Sequence, residues 1–100
     1  MTAPAVALAR IWALTQAIER AAALADWPRT ARLVNARAPL LMSLEPRQTP
    51  DALAVIRRIQ AIDAQVFANA QTARRALHAE FQAAVGRMEA ARQYARIATS

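Results

Sequence analysis

Residues 50–98 read PDALAVIRRIQAIDAQVFANAQTARRALHAEFQAAVGRMEAARQYARIA, and they decide the fold. The stretch holds one glycine, Gly86, and no proline after Pro50. Apolar residues recur through it at helical spacing: Leu53, Ile56, Ile59, Ile62, Val66, Ala70, Ala73, Leu77, Phe81, Ala84, Met88, Ala91 and Ala95. As a single helix it would reach about 70 Å, at about 1.5 Å per residue. That outreaches anything the first half of the chain can lay against it. The pattern suggests a chain built to grip another chain.

The punctuation around this stretch is local chemistry. Glu45-Pro46-Arg47-Gln48-Thr49-Pro50 holds two prolines and no large apolar residue, so it reads as a loop. Thr49 is the expected N-cap of the third helix, with Pro50 first and Asp51 in the first turn. Arg92 and Arg96 suit the negative end of its dipole, and Thr99 and Ser100 are expected to fray. The apolar gaps drift near Leu77–Phe81 and Ala84–Met88, which argues against a long strict coiled coil. If the helix breaks, Asn69 and Gly86 are the places to expect it.

Working toward the N-terminus, a second helix is expected over about 27–44. Leu33, Val34, Leu40, Leu41 and Leu44 are its apolar positions. Pro39 lies inside and predicts a kink or a split. Asp26-Trp27-Pro28 opens it, with Asp26 as the capping acceptor. A first helix is expected over about 4–25, capped by Thr2 or Ala3, with Leu8, Ile11, Leu14, Ile18, Ala22 and Ala25 on one stripe. Trp12 widens that stripe. The short connection between these two helices favours antiparallel neighbours. The expected fold is all-α: one domain, an antiparallel helical bundle of three main helices, the third long. Trp12, Ile18, Trp27, Leu33 and Leu41 are assigned to its core.

Composition agrees. One hundred residues suit one small domain. Alanine supplies 28 of them, and glycine one. The mean hydropathy of +0.09 therefore does not describe a greasy protein. No apolar run approaches a membrane span, and no signal sequence is evident, so cytoplasmic residence is expected. There is no cysteine, which excludes disulfides and thiolate chemistry. The net charge is +6 and all 13 basic residues are arginine. A GC-rich genome accounts for arginine and alanine without lysine. The functional alternative is a basic face for nucleic acid or acidic protein, with Arg57-Arg58 and Arg74-Arg75 about five turns apart. No aromatic residues are interleaved for base stacking, so nucleic acid is not the expected partner.

A search for catalytic groups finds none. His78 is the single histidine, and Glu80, two positions on, points elsewhere on a helix. Metal ligands do not cluster, and no glycine-rich loop exists to cradle phosphate, so no cofactor, metal or small-molecule substrate is expected. Asp63 sits at the edge of the apolar stripe and fits a carboxylate paired with an arginine. Val55, Ile56, Ile59, Ile62, Val66 and Phe67 cover more than one face of the third helix. Two accounts stay open: they pack internally, in a monomer or a homodimer, or they form a groove for a partner's amphipathic helix.

The order of these features resembles the FliT-type flagellar export chaperones. Leu24-Ala25-Asp26-Trp27 is similar to that family's acidic-Trp turn between its first two helices. Leu33, Arg37, Leu40-Leu41 and Leu44 resemble its leucine, arginine, paired-leucine run. Ile56, Ile59 and Asp63 resemble its Ile-x-x-Ile-x-x-x-Asp segment, and Tyr94 the tyrosine that closes many members. The chain departs from the pattern at Pro39, and at Val34-Asn35-Ala36, where acidic residues usually precede the arginine.

The resemblance implies a non-catalytic chaperone. It would bind the helical C-terminal region of the flagellar filament-cap protein, prevent early assembly and deliver the subunit to the export machinery. Ile59, Ile62, Val66, Phe67 and Phe81 are the partner-facing candidates, and Tyr94 the candidate for docking to the export machinery. The alternative is a small arginine-rich helical protein that binds nucleic acid or regulates.

Overall fold

The computed structural model describes residues 3–99. Within them the chain forms three helices and no strand: α1 (Ala3–Ala23), α2 (Trp27–Met42) and α3 (Pro50–Thr99). The all-α expectation holds. The cap proposed at Thr2 and the fraying proposed at Ser100 lie outside the described residues. Thr99 is the last helical residue, and its Oγ1 donates to the Ala95 and Arg96 carbonyls at 3.0 and 3.2 Å.

α1 stops two residues sooner than its stripe suggested. Ala25 takes a positive φ of 56°, and the chain reverses there. The Asp26 N–H donates to the Ala21 carbonyl at 2.9 Å and the Ala25 N–H to that of Ala22 at 3.0 Å. This is a Schellman closure, with alanine where glycine is usual. Asp26 then caps α2. Its Oδ1 accepts from the Arg29 N–H at 3.2 Å, and its carbonyl from the Thr30 hydroxyl at 2.8 Å. Pro28 falls in the first turn, where its missing N–H is harmless.

Pro39 does not split α2, which continues three residues beyond it. The helix ends at Met42 rather than Leu44, closed by Ser43, whose hydroxyl donates to the Leu40 carbonyl at 2.7 Å. α3 begins as its sequence requires: the Ala52 N–H donates to Thr49 Oγ1 at 3.1 Å. Helical backbone runs through both Asn69 and Gly86, so neither weak point breaks it. Nothing lies within 4 Å of where a Gly86 side chain would start, and no close neighbour demands glycine there.

The described chain divides into two compact units, one up to Ala70 and one from Gln71 onward. In the first, α1 and α2 run antiparallel. Thr15, eight residues before the end of α1, meets Arg37, ten residues into α2. Ala21 and Ala22 are buried near the turn, and their small side chains let the two backbones approach closely. The opening turns of α3 lie beside α1 and run the same way. Leu8 shares a cleft with Ala52 and Val55, and Glu19 a later one with Arg58 and Ile62. Here the α3 backbone stands farther off than α2 does from α1.

The core of this unit is small. Ile11, Ile18, Ala21, Ala22 and Ile59 are its buried apolar residues. Ile18 meets its core assignment, whereas Trp12, Trp27, Leu33 and Leu41 are only half-buried. Thr15, Thr30 and Arg37 complete the buried set.

Residues 71–99 form helix without a comparable core; none of them is fully buried. Their composition explains how. Nine alanines and five arginines have high intrinsic helix propensity. The segment also exceeds the roughly 12–15 residues at which an alanine-rich helix becomes viable in water.

Candidate functional site

The stripe on α3 separates into residues that turn inward and residues that do not. Ile59 is 4% exposed and belongs to the core, which corrects its placement among the partner-facing candidates. It sits on the α3 face that looks onto α1 and α2, so a partner cannot reach it without opening that unit. Ile62 and Val66 are half-buried. Phe67 is 65% exposed, because it lies one residue round the helix from Val66 and faces away from the hairpin.

Asp63, four residues after Ile59, shares the inward face and finds the arginine its position called for. Its Oδ1 accepts from Arg37 Nη1 at 2.8 Å. The same Nη1 donates to Thr15 Oγ1 at 2.9 Å, and that hydroxyl donates to the Ile11 carbonyl at 2.8 Å. One guanidinium therefore ties α1, α2 and α3 together. The Arg37 side chain is 7% exposed and that of Asp63 36%, so the pair spans the boundary between core and water. Arg37 Nε is buried and has no hydrogen-bond partner.

Sequence reasoning flagged Asp63 but did not name its partner. The missing acids beside Arg37 are the signal that points there. With Val34-Asn35-Ala36 before it, an arginine on a helix must look to another element for a carboxylate.

The α1–α3 seam carries two clefts, on either side of Trp12. One, of about 410 Å³, is lined mainly by apolar atoms of Leu8, Ala9, Trp12, Ala52 and Val55, with Asp51 at its edge. The other lies among Trp12, Gln16, Glu19, Arg58 and Ile62. The Arg58 guanidinium stands 4.8 Å from the centre of the Trp12 ring, a cation–π contact between them. Nothing in the spacing of Leu8, Trp12 and Val55 had singled out this seam.

In residues 71–99, Leu77, Phe81 and Met88 are exposed, Phe81 at 63%. Fully burying one such side chain is worth about 1.5–3 kcal/mol, and here that energy is not drawn upon. Tyr94 is 77% exposed. His78 and Glu80 are exposed as well. Arg92 Nη1 reaches Glu89 Oε1 at 3.3 Å on the open surface, a pair of little energetic weight.

No group of three metal-ligating side chains occurs among the described residues. No described helix is long and apolar enough to cross a membrane.

Comparison with known proteins gives one family. No curated protein and no solved structure matches significantly. The model of the family described as Flagellar protein FliT matches residues 5–96, which takes in all three helices. The chain belongs to the FliT family of flagellar proteins.

Proposed function

We propose that this protein is a cytoplasmic, non-catalytic export chaperone. It binds the helical C-terminal region of the flagellar filament-cap protein, keeps that subunit from assembling early, and passes it to the export machinery. The observation that carries this reading is the exposed apolar surface of α3, at Phe67 in one unit and at Leu77, Phe81 and Met88 in the other. Family membership directs the reading toward flagellar partners.

The physical logic is simple. A subunit destined to polymerise presents apolar helix surface. Another apolar helix surface competes for it, and binding holds the subunit in the unassembled state by mass action. Ile62, Val66, Phe67 and Phe81 are the proposed contacts, and Tyr94 the proposed export contact. Ile62 and Val66 are half-buried, so substituting them also tests the fold. Phe67 and Phe81 are the cleaner probes.

The test is co-purification of the filament-cap protein with the wild-type chain and with Phe67→Asp and Phe81→Asp. Loss of the cap protein, with unchanged far-ultraviolet circular dichroism, is the expected result. If both variants retain it at wild-type levels, the proposed surface is wrong. If the wild-type chain does not retain it either, the proposed client is wrong.

A further inference from the structure

We infer that the face of residues 71–99 centred on Leu77, Phe81 and Met88 docks an acidic amphipathic helix. This rests on the reading above, that α3 holds a client helix, and adds the chemical character of the client.

The face is one row. Leu77, Phe81, Ala84 and Met88 follow at gaps of four, three and four, which keeps them on one side of a helix. Ala84 is small and stands between two large neighbours. That alternation leaves a hole into which a partner's side chain can fit.

Arginines bound the row. Arg74 precedes Leu77 by three residues and Arg92 follows Met88 by four, so both are neighbours of its ends on the helix surface. The other flank carries Arg87 together with Glu80, three residues after Leu77, so arginines outnumber acids beside the row by three to one. Residues 71–99 hold five arginines and two glutamates, a net charge of +3. Glu89 is engaged by Arg92, in a largely exposed pair that a stronger carboxylate partner can displace.

Charge selects the occupant. A second copy of this segment would bring +3 against +3, and like charges across a contact are disfavoured. An anionic lipid surface satisfies the arginines, but an interfacial helix needs a strongly charged outer face. The side opposite the row carries a single charge, Arg75, among Ala79, Gln82, Gly86, Ala90, Gln93 and Ile97. A helix with an apolar seam and Glu or Asp beside it satisfies both the row and the arginines.

The experiment uses the full chain and two synthetic helices. Both share one leucine seam; one carries Glu on its flanks, the other Lys. Fluorescence anisotropy at low salt is expected to show the Glu helix binding about tenfold tighter, with the margin shrinking at high salt. The triple variant Arg74→Glu/Arg87→Glu/Arg92→Glu is expected to reverse the preference. Phe81→Asp is expected to weaken both helices while circular dichroism stays helical.

Equal binding of the two helices would overturn the inference. So would a concentration-dependent dimer that Phe81→Asp abolishes, or tighter binding to phosphatidylglycerol vesicles or duplex DNA than to the Glu helix. The cap protein separates this inference from the broader reading. Capture lost in Phe81→Asp but unchanged in the triple variant would keep the chaperone and remove its preference for acid. A clear Glu preference in a chain that never captures the cap protein would do the reverse.

Discussion

The two units of this chain are helical for different reasons. Up to Ala70, elements are held by burial: Ile11, Ile18 and Ile59 exclude water, and Arg37 joins three helices through Thr15 and Asp63. Over residues 71–99, alanine and arginine propensity sustains the helix and no side chain is fully buried. One unit uses its apolar residues to define a structure. The other forms its backbone while its large apolar residues stay exposed.

The sharpest break of that contrast is a matched pair of truncations. Ile59→Ala removes a buried side chain and is expected to cost about 3 kcal/mol. Phe81→Ala removes a larger but exposed one and is expected to change stability by less than about 0.5 kcal/mol. Urea denaturation followed by circular dichroism measures both. Comparable losses would mean that Phe81 is covered in solution.

The ion pair comes next. Asp63→Ala strands a buried guanidinium whose Nε already lacks a partner, and a loss of about 2 kcal/mol is expected. Arg37→Met should cost clearly less, because it leaves behind Asp63, which water can reach. Comparing the two midpoints tests whether the asymmetry of exposure decides the energetics. Equal losses would place the worth of the pair in mutual attraction alone.

Smaller effects probe the backbone. Gly86→Ala meets no neighbour and is expected to stabilise the local helix by about 1 kcal/mol. Amide exchange around residue 86 should slow about fivefold, while exchange in the core of the first unit stays unchanged. Ala25→Gly relieves a left-handed alanine and is expected to raise stability by about 0.5 kcal/mol in the same urea assay. A loss at Ala25 would show that the extra freedom of the unfolded chain outweighs the relieved strain.

Much of the fold was legible because helix ends are local events. Asp26 and Thr49 cap the helices they precede in sequence, and both prolines beside them sit in first turns. The ends that were misplaced, at Ala25 and Leu44, depend on how the chain turns after the helix. An apolar stripe does not encode that. Pro39 was read as a kink or a split, and α2 continues past it without splitting.

The candidate site was only half legible. Helical spacing identified an apolar α3, but it could not sort Ile59 from Phe67. Both are large and apolar; one faces the α1–α2 hairpin and the other faces water.

Sequence by itself determined that this chain is helical, where α2 and α3 start, that it lacks thiol chemistry, and that its C-terminal half carries more apolar surface than it needs for helix formation. These follow from propensity, capping and composition, which act within a few residues. Tertiary structure alone decided that Arg37 is a core residue, that Asp63 is its carboxylate, and that Ile59 is spent inside while Phe67 stays outside. Burial and pairing depend on which surface another element brings near, and contacts across 22 and 26 residues of chain lie beyond the reach of local pattern.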